Sequence, residues 1–282
     1  MGTSRPNCAA YLRVAAYVIS RYISDPLLIG GKKFDLRIYV LVLSYRPLKT
    51  FVYKKGFARF TTINYTNDFS EMDNELVHLT NVAIQKHSEG YSHAHGGKWS
   101  LKNLRQYIEG TRGTPAAVTL MEDVGWVIVH SLKAVQNVII NDKHCFECYG
   151  FDIMIDNKLK PWLLEVNASP SLSTTTLDDK QLKTQLIDEV LDLAVPPHMI
   201  EAAQSSCKPA RPRRGSTSAA AAGFPTNFEL LYDEAIEIEA GRRAVEASAA
   251  RAGGRRGSEA TGGGQWSKVA SGRRAFNTPH WA

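Results

Sequence analysis

A strand–turn–strand pattern near the middle of the chain constrains its fold most strongly. Within residues 151–170, two hydrophobic runs flank the turn-prone pair Asp156-Asn157, which predicts a β-hairpin. Asp152 lies on the first predicted strand, and Glu165 and Asn167 lie on the second. Because side chains two residues apart on a strand point to the same face, Glu165 and Asn167 share one face. Two carboxylates and a carboxamide that converge there predict an all-oxygen site suited to Mg²⁺, and hence to ATP-dependent chemistry.

The same residues also fit a surface hairpin with solvated acids. Asp156 agrees with this interpretation, since it lies at the turn. Glu165 agrees less well, because residues 162–164 and Val166 are apolar and we expect them to surround it. A carboxylate in such surroundings is costly to bury without a cation or hydrogen-bond donors. The pattern alone leaves both interpretations open.

Composition favours an ordinary globular protein. Hydrophobic residues make up 44% of the 282 residues and charged residues 22%, and no apolar run approaches the roughly 20 residues of a membrane span. Residues 1–13 show no secretory signal, and four dispersed cysteines predict a reducing compartment. We expect Cys145 and Cys148 to be buried strand cysteines and not half of a zinc site. The net charge of +6 suits an acidic partner, and we expect neither nucleic-acid nor membrane binding.

Strand and helix patterns alternate from about residue 16 to residue 198, which predicts an α+β or α/β fold. The run Ile38–Val42 is apolar on both faces and predicts a central strand. Ser100 is the expected N-cap of a helix. The predicted strands are 27–29, 34–43 and 50–53, and the predicted helices are 100–109, about 115–140, and 178–193.

The composition changes sharply near residue 200, where Ala, Gly, Ser and Arg become abundant. We therefore expect three regions: a leader at 1–15, a folded domain at 16–198, and a mostly disordered tail at 199–282. Within the tail, the stretch 227–234 is expected to dock as a short helix.

A second group of charges alternates with apolar residues after Gly30-Gly31. Lys33, Asp35 and Arg37 share one face of the predicted strand. That face is either solvated, or it lines a polar cleft in which Lys33 contacts phosphate and Asp35 orients a ligand or metal. Thr80-Asn81 interrupts an apolar run and also fits a helix cap, and His78 fits a core histidine whose ring nitrogens are hydrogen-bonded.

Four ordered motifs, which span about residues 17–196, resemble the tubulin tyrosine ligase-like family, and details around residues 95–99 and 144–150 resemble its polyglutamylase branch. The resemblance implies the C-terminal part of an ATP-grasp catalytic domain, with the family's more N-terminal parts absent. The motifs are Tyr22-Ile23 with 26–29, Lys33-Phe34-Asp35-Leu36-Arg37, His78-Leu79-Thr80-Asn81, and Glu165-Val166-Asn167-Ala168-Ser169-Pro170.

The resemblance also implies roles for individual residues. ATP would be contacted by the backbone of Ser20, Arg21, Tyr22 and Ile23 and by Lys33, Asp35, Thr80 and Asn81. Mg²⁺ would be held by Asp152, Glu165 and Asn167. The catalytic residues that engage the carboxylates of the added glutamate would be Arg59, Lys98 and Lys183.

The implied activity is ATP-dependent polyglutamylation, which joins free glutamate to glutamate side chains of acidic tubulin tails through an acylphosphate. The implied partners are tubulin and other subunits of a polyglutamylase complex, in the cytoplasm and cytoskeleton, at a ciliary or flagellar axoneme or basal body. Two alternatives remain open: a glycylase or tyrosine ligase, and a truncated, non-catalytic protein that binds microtubules or a complex.

Overall fold

The computed structural model describes residues 19–92, 96–140, 142, 145–195 and 226–253. They form one antiparallel eight-stranded sheet with helices, so the predicted α+β class is confirmed. The strands are β1 (Leu28–Ile29), β2 (Lys32–Tyr45), β3 (Leu48–Tyr53), β4 (Phe57–Phe60), β5 (Lys98–Ser100), β6 (Glu147–Ile155), β7 (Pro161–Asn167) and β8 (Phe228–Asp233). The helices are α1 (Glu75–His78), α2 (Val82–Gln85), α3 (Leu101–Arg112), α4 (Thr114–Val135), α5 (Leu177–Ala194) and α6 (Glu234–Gly253), with a 3₁₀ turn at Phe69–Glu71.

The long strand β2 organises the sheet. Strand β6 pairs along one edge of β2, while β4 and β3 lie end to end along the other. Strands β7, β5 and β8 then flank β6, β4 and β3, respectively. All five residues of Ile38–Val42 are buried, which confirms the predicted central strand.

Alternation along β2 gives the sheet two different faces. On the first face, Leu36, Ile38 and Val40 pack in the main core with α3 and α4. On the second face, Tyr39 and Leu41 pack beneath α5 and β8. Full burial of such apolar side chains contributes about 1.5–3 kcal/mol each. Helix α5 packs on the C-terminal half of β2, and charged residues occupy the second face along the N-terminal half.

Local chemistry explains where several elements begin and turn. Gly30 and Gly31 form the two-residue link between β1 and β2 with φ of 60° and 75°, the left-handed backbone of a tight hairpin turn. Ser100 Oγ accepts a hydrogen bond from the Asn103 backbone N–H at 3.1 Å, so the predicted N-cap of α3 is confirmed. The β6–β7 hairpin and helix α5 are also confirmed, whereas α4 ends at Val135, before the predicted 140.

The prediction of a docking helix at 227–234 is wrong. Residues Phe228–Asp233 form strand β8, which pairs antiparallel with β3 along the outer edge of that strand. The Phe228 ring packs against Tyr53, with ring centroids 4.8 Å apart. Helix α6, which follows β8, was not predicted. The expected leader at 1–15 and tail residues 199–225 and 254–282 lie outside the described residues.

Candidate functional site

A row of six charged side chains crosses the open half of the second face; we call it the charged row. Its order follows from strand pairing, because directly paired residues of an antiparallel sheet project from the same face. From one edge to the other, the charged row comprises Lys98 on β5, Arg59 on β4, Asp35 and Arg37 on β2, Asp152 on β6 and Glu165 on β7.

Two arginines and two aspartates form the centre of the charged row, in which Arg59, Asp35 and Asp152 are buried and Arg37 is partly buried. Arg59 donates hydrogen bonds from Nε and Nη2 to the two oxygens of Asp35, and its Nη2 lies 2.9 Å from Asp152 Oδ2. Arg37 donates to both oxygens of Asp152, at 2.5 and 3.0 Å. Burial alone would raise the pKa of Asp152, but Arg37 and Arg59 outweigh it and hold this pKa below its ordinary value. The ion pairs raise the pKa of Arg59 despite its burial, so the Arg59–Asp152 pair stays charged.

The acidic end of the charged row supplies oxygen ligands. Asn167 Nδ2 donates to Glu165 Oε1 at 3.0 Å, which leaves the Asn167 carbonyl oxygen to face a cation. Asp152 Oδ1 receives one hydrogen bond and keeps a further acceptor direction. Carboxylate and amide oxygens are what Mg²⁺ prefers, so this set of residues fits the ion. Within the described ranges, no three acidic, histidine or cysteine side chains cluster as metal ligands; the set joins two carboxylates with one amide.

The expectation that apolar neighbours bury Glu165 is wrong. Glu165 is exposed, as are Leu163, Leu164 and Val166. Among the described strands β7 pairs only with β6, so it forms an edge of the sheet and remains accessible. The argument from the cost of burying this carboxylate therefore does not apply, and the metal interpretation depends on the ligand set alone.

Lys33 continues the same face of β2 and lies in a small aromatic pocket. Its ammonium donates to the His78 carbonyl at 2.8 Å and to Tyr22 Oη at 3.3 Å, and lies 5.9 Å from the Tyr65 ring centroid. The Nε2 atom of His78 donates to the Glu71 carbonyl, so Nδ1 accepts from the Tyr22 hydroxyl at 2.8 Å. His78 is thus a buried histidine whose two ring nitrogens are both hydrogen-bonded, as expected. Burial lowers the pKa of Lys33 and nearby Asp35 partly opposes this.

The basic end of the charged row joins β5 to α5. Lys98 Nζ lies 3.1 Å from Asp179 Oδ2, and Lys183 Nζ lies 3.2 Å from Asp179 Oδ1. The two predicted lysines are therefore brought together by one buried carboxylate. Burial lowers the pKa of Lys183, and Asp179 only partly restores it.

Of the predicted nucleotide contacts on 20–23, Tyr22 is the one that hydrogen-bonds Lys33. Ser20 and Arg21 are exposed and Ile23 is half-buried, and all three lie outside the helices and strands. Thr80 is buried. Asn81 occupies the N-cap position of α2, but its side chain makes no capping hydrogen bond, so capping does not account for it.

Sequence reasoning missed two members of this site. Arg37 was recognised as a strand-face charge but not as the partner of Asp152, because its register with β6 is invisible in the sequence. Asp179 was missed despite two local signals: Thr176 three residues earlier, which caps α5, and Lys183 four residues later. The prediction of buried strand cysteines is wrong for Cys145, which is exposed; Cys148 does lie on β6 but is only half-buried, and its burial raises the pKa of the thiol to about 11.

Comparison with known proteins identifies the family of this chain. Residues 11–202 match the tubulin-tyrosine ligase family. The chain is 51% identical over 236 residues to the probable alpha-tubulin polyglutamylase Ttll1 of Tetrahymena thermophila, covering 84% of this chain and 55% of that protein. It is 52% identical over 180 residues to the probable tubulin polyglutamylase TTLL9 of Bos taurus, covering 64% and 39%. It is 40% identical over 187 residues to tubulin polyglutamylase TTLL5 of Mus musculus, covering 61% and 14%.

The chain thus spans about half the length of the first of these relatives and less of the others. In the described part of the chain, no helix is long and apolar enough to cross a bilayer. The family match covers more than half of the residues and includes every member of the charged row. The chain belongs to the tubulin-tyrosine ligase family.

Proposed function

We propose that this chain carries the nucleotide-binding and amino-acid-binding part of an ATP-dependent tubulin polyglutamylase with an ATP-grasp fold. The observation that supports it most is the charged row, which has cations at one end and oxygen ligands at the other. Cations suit the carboxylates of glutamate and of an acidic tubulin tail, while oxygen ligands suit Mg²⁺. The names of the relatives, two probable tubulin polyglutamylases and one tubulin polyglutamylase, support the same substrate.

The nucleotide binds at the Lys33 end of the site. Lys33 is hydrogen-bonded in place by Tyr22 and the His78 carbonyl, so its ammonium meets phosphate with little loss of side-chain freedom. Asp35, which lies on the same face of β2 as Lys33, orients the nucleotide. The backbone of Ser20–Ile23 meets the adenine, and Thr80 and Asn81 complete the set of contacts.

Asp152, Glu165 and Asn167 hold Mg²⁺, which neutralises phosphate charge when it is bound. Arg37 holds the carboxylate of Asp152 by hydrogen bonds, and Arg59 holds it by an ion pair. A carboxylate that is held in this way needs little rearrangement as charge develops in the transition state.

The reaction has two steps. A tubulin glutamate side-chain carboxylate attacks the γ-phosphorus of ATP, which forms an acylphosphate and releases ADP. The amine of free glutamate then attacks the acyl carbon, phosphate leaves, and loss of a proton from nitrogen gives the isopeptide bond. Arg59, Lys98 and Lys183 bind and orient the carboxylates of the incoming glutamate. Catalysis comes from positioning and charge neutralisation, with no obligatory general base.

The proposed partners are tubulin and the other subunits of a polyglutamylase complex, and the proposed location is the cytoskeleton, including the axoneme or basal body of a cilium. The net charge of +6 supports an acidic partner such as the tubulin tail.

A panel of labelled amino acids tests the choice of substrate. The chain is incubated with tubulin, ATP, Mg²⁺ and labelled glutamate, glycine or tyrosine in parallel. We expect ATP-dependent labelling by glutamate. Labelling by glycine or tyrosine alone would instead identify a glycylase or a tyrosine ligase. Microtubule binding without labelling by any of the three would identify a non-catalytic binding protein.

A further inference from the structure

One carboxylate, that of Asp179, connects the two predicted substrate-binding lysines. Asp179 is only 1% exposed, and its two oxygens face different ammonium groups. Its Oδ2 accepts a hydrogen bond from Lys98 and another from the Thr175 backbone N–H at 3.1 Å. Its Oδ1 is buried and forms an ion pair with Lys183, but not a well-aligned hydrogen bond.

The start of α5 fixes the position of Asp179. Thr176 is the N-cap of this helix, and its Oγ1 accepts a hydrogen bond from the Asp179 backbone N–H at 3.2 Å. Asp179 lies in the first turn, where the helix dipole also favours a negative charge. Burial alone would raise the pKa of Asp179, but Lys98, the Thr175 N–H and Lys183 hold it below its ordinary value. The carboxylate is therefore ionised and is held on one oxygen by hydrogen bonds from Lys98 and the Thr175 N–H.

The two lysines come from separate parts of the fold. Lys98 is on β5, opposite Arg59 of the charged row, whereas Lys183 is on α5. Each ammonium has three donors on a flexible four-carbon stem. Lys183 also donates to the Ser173 carbonyl, and Lys98 to Thr175 Oγ1 at 3.4 Å. These contacts leave a donor on each ammonium for a ligand, and the cluster keeps one surplus positive charge.

We infer that Asp179 is a positioning residue, which holds Lys98 and Lys183 in place for the two carboxylates of the incoming glutamate. This inference rests on the proposed function. Without Asp179 the two ammonium groups repel each other and regain side-chain freedom, which glutamate must then remove on binding. Asp179 itself stays behind the lysines and does not touch the substrate.

The test measures the KM for glutamate, the KM for ATP and kcat for tubulin ligation by the whole chain. Asp179→Asn removes the charge with little change in shape, and Asp179→Glu keeps the charge but shifts it by one methylene. Asp178→Asn is the matched control, since Asp178 lies in the same first turn but is exposed. We expect both Asp179 variants to raise the KM for glutamate about tenfold or more. We expect kcat to fall less than about threefold, the KM for ATP to stay constant, and the control to match wild type.

Three results would overturn the inference while the wild-type chain remains active. A lower KM for glutamate in Asp179→Asn would show that the carboxylate merely offsets cationic charge. An unchanged KM with reduced kcat would show a purely structural role. An unchanged KM for glutamate in Asp179→Glu would show that the exact position of the carboxylate is unimportant. Circular dichroism checks folding, and Asp179→Glu carries the same KM test where Asp179→Asn does not fold. A wild-type chain that ligates no glutamate would instead refute the proposed function.

Discussion

The centre of the charged row makes a quantitative prediction about stability. Arg59→Met removes the guanidinium but keeps a side chain of similar length, so packing along the stem is largely retained. Both oxygens of Asp35, a residue only 2% exposed, then lose the hydrogen bonds that they accept from Arg59. Asp152 keeps Arg37. Removal of one partner from a buried ion pair costs about 3–5 kcal/mol, and we expect a loss of stability in this range.

Urea unfolding measures this loss as a shift of the midpoint at constant slope. Arg243→Met is the matched control, because Arg243 pairs with Glu239 at 3.0 Å on the surface of α6 with its side chain 76% exposed. That variant should lose less than about 0.5 kcal/mol. The double variant Asp35→Asn, Arg59→Met should be more stable than the sum of the single effects by about 1–3 kcal/mol, because no unpaired charge stays buried. Equal, small losses in Arg59→Met and Arg243→Met would refute the reasoning.

Three further predictions concern acid stability, thiol reactivity and backbone packing. Because folding lowers the pKa of Asp152, its ionised carboxylate stabilises the fold at pH values above the ordinary pKa of 3.8. This stabilisation is lost as the pH falls through the lowered pKa. In Asp152→Asn, the free energy of unfolding measured with urea should therefore fall less steeply as the pH is lowered. At about pH 8, iodoacetamide should modify exposed Cys145 well before Cys148, whose pKa is about 11, as peptide mass spectrometry would report. Gly110→Ala has open space within α3 and should gain about 0.5–1 kcal/mol, whereas Gly56→Ala should lose more than about 1 kcal/mol, because its Cβ would lie 2.5 Å from a main-chain oxygen of β2. Equal effects of the two glycine substitutions, measured by thermal unfolding, would contradict the packing argument.

Local patterns in the sequence were sufficient to predict much of this fold. The two-sided apolar run Ile38–Val42, the Asp156-Asn157 turn and the Ser100 cap each act over a few residues, so each could be identified without tertiary information. Strand β8 could not, because residues 227–234 are a short stretch of mixed polarity, and only pairing with the edge of β3 decides that they form a strand. The exposure of Glu165 was missed for a similar reason: its apolar neighbours suggested burial, but its strand lies at an edge of the sheet.

The candidate site was predicted best where its residues share a strand. Lys33, Asp35 and Arg37 were placed on one face by their spacing alone. The pairing of Arg37 with Asp152, and of Lys98 with Lys183 through Asp179, depends on contacts across strands and between β5 and α5. Such contacts between distant segments leave no pattern in a single sequence.

Intact-mass spectrometry of tubulin shows whether the chain adds glutamate in an ATP-dependent reaction that needs Glu165. Tubulin is incubated with ATP, Mg²⁺ and glutamate in the presence of the wild-type chain or of Glu165→Gln, which removes one charged oxygen ligand at an exposed position where folding should be little affected. We predict that the wild-type chain adds glutamyl residues to tubulin only when ATP is present, and that Glu165→Gln, folded as judged by circular dichroism, adds few or none. Glutamyl addition without ATP, or full addition by folded Glu165→Gln, would contradict the account.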